Sequence, residues 1–116
     1  MAEVVQEGVL GMSESGAEPV DFGYLERFAA GDRTVVSEVL ALFAEQAALW
    51  APRLTPEDAG WRDVVHTIKG AGRGIGANPL GDICARAEAE GPELLPQVRS
   101  ALDEAIAAIE AYQARA

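Results

Sequence analysis

At 116 residues and 49% hydrophobic content, the chain has the size and apolar share of one domain with a single core. Nineteen acidic residues against nine basic ones leave a net charge of −10, which argues against nucleic acid or an anionic membrane surface as a partner. One cysteine, Cys84, and one histidine, His66, supply neither a disulfide framework nor a structural zinc site, and they fit a reducing, cytoplasmic setting.

Residues 1–20 hold four glutamates and no basic residue, and read as a disordered tail, or as a short packing helix through Val4, Val5, Val9 and Leu10. Lacking a basic start, they do not read as a signal peptide; with Met1 they point to a free-standing chain. No run of sequence reaches the roughly 18 to 20 apolar residues of a membrane helix.

From residue 21 to 116 the pattern is that of one helical domain. Asp21 can cap a short first helix with Phe22, Leu25 and Phe28 on one side, ended by Gly31-Asp32. Asp32 or Thr34 can cap a second, in which Val36, Leu40, Phe43, Ala47 and Trp50 recur at helical spacing until Pro52. Thr55-Pro56-Glu57-Asp58 has the order of a cap, a first-turn proline and first-turn acids, and predicts a third helix running through His66 towards Ile75.

Asn78-Pro79 repeats that signal for a fourth helix, with Leu80, Ile83, Cys84 and Ala87 on its inner face and Gly91 at its end. Pro92 opens a fifth through Leu95, Val98, Leu102, Ala105, Ile109 and Tyr112. The expected fold is all-α: an antiparallel four-helix bundle of the second to fifth helices, with the first as a short cap.

Placing His66 at zero on a helical wheel puts Arg62 at about −40°, Lys69 at about −60°, Arg73 at about −20° and Gly70 at about +40°. Val64, Ile68, Ala71 and Ile75 fall on the opposite side, so burying them turns His66 outward. Three cations of an acidic chain thus flank its one histidine, a local positive spot suited to a phosphoryl group. At neutral pH an imidazole also offers a nucleophilic lone pair.

An exposed histidine among charged residues is ordinarily idle, and the glycines tip the reading away from that. Gly70, Gly72, Gly74 and Gly76 follow in one stretch, and each interior helical glycine costs up to about 1 kcal/mol relative to alanine. Gly70, one turn beyond His66, is expected to leave room for a partner's approach; Gly72 is expected to serve helix packing and Gly76 to end the helix.

His66-Thr67-Ile68-Lys69-Gly70-Ala71, then Gly76-Ala77, Leu80, Cys84 and Glu88, resemble the signature of histidine-containing phosphotransfer domains. The resemblance implies that His66 is the phosphorylated residue, Lys69 its basic neighbour and Gly70 the small residue that admits the partner. It also implies a monomeric phosphorelay carrier, not an enzyme, that binds no cofactor of its own and works with receiver domains of hybrid kinases and response regulators, whose own site holds magnesium. Arg62 and Arg73 are expected to assist partner binding. Val65 and Ala87 depart from the residues usual in that family, and Gly72 and Gly74 loosen the helix.

Three other classes are open to comparison. A nucleotide-binding loop fails on spacing, since the glycines alternate without a GxGxxG pattern and Lys69 precedes its glycine. An enzyme lacks a triad, and Asp63, about 60° round the helix, leaves the His66 face without a carboxylate. A helical adaptor in which His66 is incidental is the alternative function. Cys84, alone on the inner face of its helix, reads as a core residue.

Overall fold

The computed structural model describes residues 18–115, which form five α-helices and no strand. They are α1 (Phe22–Phe28), α2 (Arg33–Trp50), α3 (Trp61–Gly74), α4 (Asn78–Glu90) and α5 (Leu95–Arg115), with short 3₁₀ turns at Ala51–Arg53 and Pro92–Leu94. Helices α2 to α5 close a ring in which each packs on two neighbours, around a core that includes Leu40, Val65, Ile68, Leu80, Val98 and Leu102. This is the expected helical bundle. Residues 1–17 of the expected tail lie outside the described residues; Val20, at its end, is already buried.

Side-chain caps set the first two helix starts. The Asp21 carboxylate accepts from Tyr24 N, and Asp32, the nearer of the two candidate caps, accepts from both Thr34 N and Val35 N. On α1, Phe22 stacks on Tyr112 with ring centroids 4.2 Å apart and Leu25 is buried, whereas Phe28 remains 77% exposed. Phe28 lies about 90° from the midline of the other two, so a helix seated on them turns it aside.

The third helix begins at Trp61, five residues later than a cap at Thr55 suggested. Asp58 is the reason: its carboxylate accepts from Gly60 N and pairs with Arg53 Nε at 2.9 Å, while its own N–H donates to Thr55 O. These bonds close a separate turn ahead of the helix, anchored by buried Leu54. Pro92 likewise opens a 3₁₀ turn, and α5 starts only at Leu95.

The end of α3 fixes the site's far boundary. Ala77 N donates to Gly72 O and Gly76 N to Arg73 O, the paired bonds of a Schellman motif. Gly76 sits at φ +86°, and a Cβ there would stand 2.7 Å from Asp21 O, so glycine is required twice over. Its carbonyl accepts from Asp21 N at 2.9 Å, tying the start of α1 to the α3–α4 turn.

Helix α2 departs from the reading that no stretch is apolar enough for a membrane span. Residues Arg33–Arg53 reach the length and apolar character of one, although little of that stretch is buried. The two glutamates inside it, Glu38 and Glu45, interrupt any plain apolar run and so hide its overall apolarity. In the bundle this helix gives Val36, Leu40, Phe43 and Ala47 to the core.

Candidate functional site

Helix α3 buries Val64, Val65, Ile68 and Gly72, with Ile75 just past its end, while Ala71 is only half-buried. The buried stripe is therefore rotated towards α4 relative to the expected one. The rotation leaves His66 outward, its side chain 69% exposed, and brings the Lys69 side of α3 against α4.

A carboxylate meets the histidine there, contrary to the expectation that none shares its face. Glu88 of α4 lies one turn beyond Cys84 and two beyond Leu80, at the edge of the stripe that faces α3. Its Oε2 stands 2.7 Å from His66 Nδ1, and its Oε1 stands 2.5 Å from Lys69 Nζ. The hydrogen bond from Lys69, opposed by burial and aided by the hydrogen bond from His66, holds the Glu88 carboxyl below the usual glutamate range.

An ionised carboxylate can only accept, so Nδ1 carries the proton and donates it to Glu88. The Nε2 lone pair is then left free at the exposed edge of the ring. Glu88 thus fixes the tautomer and orientation of the ring, and Lys69 fixes Glu88. Lys69 accordingly is not the freely exposed cation expected; its side chain is only 23% exposed because it reaches towards α4.

The two arginines are also engaged by α4. Arg62 stacks over the Trp61 ring at 4.5 Å and donates to the backbone carbonyl of Glu88, one of the last-turn carbonyls that α4 itself leaves unpaired. Arg73 lays its stem over Gly81 and reaches Asp82 at 3.6 Å. The expected positive spot is therefore a brace between two helices, with Lys69 alone of the three cations touching the carboxylate that holds the ring.

Gly70 is exposed, and a Cβ built on it meets nothing within 4 Å. Gly72 differs, since its Cβ would stand 3.2 Å from Leu80 Cδ2. Cys84 is fully buried and its thiol is pushed up to about 12, chiefly by burial, which leaves it a packing residue.

Sequence reasoning placed Glu88 in a motif and gave it no role. The available signal was its spacing from Leu80 and Cys84, which sets a carboxylate on an otherwise apolar stripe.

Against known proteins, the Hpt domain family model matches residues 34–112. Among solved structures, the chain is similar to the histidine phosphotransferase ShpA from Caulobacter crescentus, at 60% sequence identity and a TM-score of 0.77, over 84% of this chain and 92% of that one. Comparison with curated proteins gives no match.

Proposed function

This chain belongs to the histidine-containing phosphotransfer (Hpt) domain family, and from that membership we propose that it is a phosphorelay intermediate working through His66. His66 accepts a phosphoryl group from the aspartyl phosphate of one receiver domain and passes it to the aspartate of another. The observation that carries this reading is the 2.7 Å contact of His66 Nδ1 with Glu88, which leaves the Nε2 lone pair free on an exposed ring.

The Nε2 lone pair attacks phosphorus, and the P–N bond forms as the P–O bond to the aspartate breaks. The aspartate carboxylate leaves with that electron pair. The ring then bears the phosphoryl group on Nε2 and the proton on Nδ1, a cation whose charge Glu88 balances. Lys69, close to the same carboxylate, lends positive charge to the phosphoryl oxygens. In the second transfer the receiver's carboxylate attacks phosphorus and the imidazole leaves.

The chain is a carrier: it is restored only when the second partner has taken the group, and the receiver completes the chemistry. It brings no cofactor to the step, and the magnesium belongs to the receiver's own site. It acts as a cytoplasmic monomer with receivers as partners. Gly70 gives the receiver a bare stretch of α3 on which to approach the ring.

Incubation with a receiver charged by acetyl phosphate tests the reading. Wild-type protein acquires an acid-labile, base-stable phosphate, and His66→Gln acquires none while its helical signal and melt stay unchanged. Labelling that survives in His66→Gln contradicts the assignment of the site, and no labelling of wild type by any receiver favours the adaptor.

A further inference from the structure

The last turn of α4 cannot close on itself at Glu88. In a helix the Glu88 carbonyl would accept from the N–H four residues on, and that residue is Pro92, which has none. Ala87 O still accepts from Gly91 N at 2.9 Å, so the ladder ends at Glu88 itself. Gly91, at φ +126°, then turns the chain into the 3₁₀ turn of Pro92–Leu94. A helix end left open in this way frays unless a donor from elsewhere takes the carbonyl.

Arg62 is that donor. Its Nη1 donates to Glu88 O across the contact of α3 with α4, and its guanidinium lies over the Trp61 ring, 4.5 Å from the centroid. Trp61 is half-buried and packs against the core, so an otherwise exposed arginine rests on an anchored platform. Glu88 is thus held at two points, its backbone by Arg62 and its carboxylate by Lys69 and His66.

The two holds differ in what they resist. The carboxylate stands 2.7 Å from His66 Nδ1, and displacing the helix end by about an ångström would break that hydrogen bond. Lys69 reaches the carboxylate on a flexible stem and can follow it away from the ring. Only the Arg62 bond ties the backbone of Glu88 to α3, the helix that carries the histidine.

Resting on the carrier reading above, we infer that Arg62 is a positioning residue for phosphotransfer. By clamping the backbone of Glu88 it keeps the carboxylate on Nδ1 and so keeps the Nε2 lone pair free for phosphorus. This role takes the place of the partner contact expected for Arg62 from the sequence.

The test uses the full chain and two phosphoryl donors: a receiver charged by acetyl phosphate, and phosphoramidate, a small donor that needs no docking surface. Arg62→Ala is expected to slow labelling of His66 by both donors, by the same factor of about threefold to tenfold. Arg62→Lys, which keeps a charged donor and loses the planar stack, is expected to recover part of the loss. In folded Arg62→Ala, ¹⁵N spectra of the neutral ring should move from the Nδ1–H form towards the Nε2–H form. Adding Arg62→Ala to Glu88→Ala should change the ring no further, since the clamp acts through that carboxylate.

A loss confined to the receiver, with phosphoramidate labelling and the ring unchanged, overturns the inference and returns Arg62 to partner contact. A loss that only tracks the folded fraction in thermal melts, with the folded protein's ring still in the Nδ1–H form, also overturns it. Rates within twofold of wild type with both donors overturn it and leave His66 as carrier. Labelling of wild type by neither donor overturns the carrier reading and the inference with it.

Discussion

On the side of α3 that meets α4, added atoms have nowhere to go. A Cβ on Gly72 would press on Leu80, and one on Gly81 of α4 would stand 2.7 Å from the Arg73 stem. On the opposite side, Gly70 and Gly74 have open space where their Cβ atoms would be. Four glycines drawn from one short stretch of two helices thus serve opposite ends. The closed side brings α3 and α4 together tightly enough for Glu88 to hold His66 and Lys69, and the open side leaves the held ring within reach.

Substitutions on the open side should affect function and leave folding alone. Gly70→Gln should keep or raise the melting temperature, since Gln is the better helix former by a sizeable fraction of about 1 kcal/mol, yet should lower transfer from a charged receiver by about tenfold or more. Thermal melts beside transfer assays decide it; a melting temperature that falls with activity would show that the two sides do not differ.

On the closed side the pattern should invert. Gly72→Val must displace Leu80 and should destabilise the bundle by about 1 to 3 kcal/mol in denaturant melts, with transfer falling only as the folded fraction falls.

Glu88 links the two sides, and Glu88→Gln should slow transfer several-fold at neutral pH because the ring loses its anionic partner. Its carboxyl is held below the ordinary range in the folded chain, mainly by Lys69. Its stabilising contribution is therefore complete above about pH 4.3, the usual unfolded value, and fades as pH falls through the lower folded value. Denaturant melts should show a gap between wild type and Glu88→Gln of no more than about 1 kcal/mol at pH 6, closing in strong acid. A gap that widens as pH falls would contradict the arrangement.

Lys69→Ala should have the smallest effect, a few-fold loss of transfer with little change in stability. Its effect should shrink further in a Glu88→Gln background, since the two groups act through one contact.

The helix order was legible in the sequence because its signals are local. Asp21 and Asp32 cap the helices they precede, Gly76 and Gly91 end those they follow, and the wheel of α3 puts His66 outside. Local signals also misled where two of them competed: Thr55-Pro56 has the form of a helix start, but Asp58 draws that segment into a turn.

The wheel gave the angle of each cation about α3 and not the position of α4, so Arg62, Lys69 and Arg73 read as one free positive cluster when each has a partner on α4. The place of Glu88 on the inner stripe of α4 was legible from its spacing, but its contact with the histidine was not. Glu88 stands 22 residues from His66, and only the packing of α3 on α4 brings its carboxylate to the ring.

The central claim is that Glu88 holds the Nδ1 proton of His66 and leaves Nε2 to take the phosphoryl group. Because the chain has one histidine, protein carrying ¹⁵N-labelled imidazole gives a single pair of ring nitrogens to follow by NMR before and after phosphorylation by a charged receiver. The account predicts a protonated Nδ1 and a free Nε2 in the neutral ring, then phosphorus coupling at Nε2 with Nδ1 still protonated. Phosphorus coupling at Nδ1, or ring nitrogens unchanged in a protein that has taken up phosphate, would contradict it.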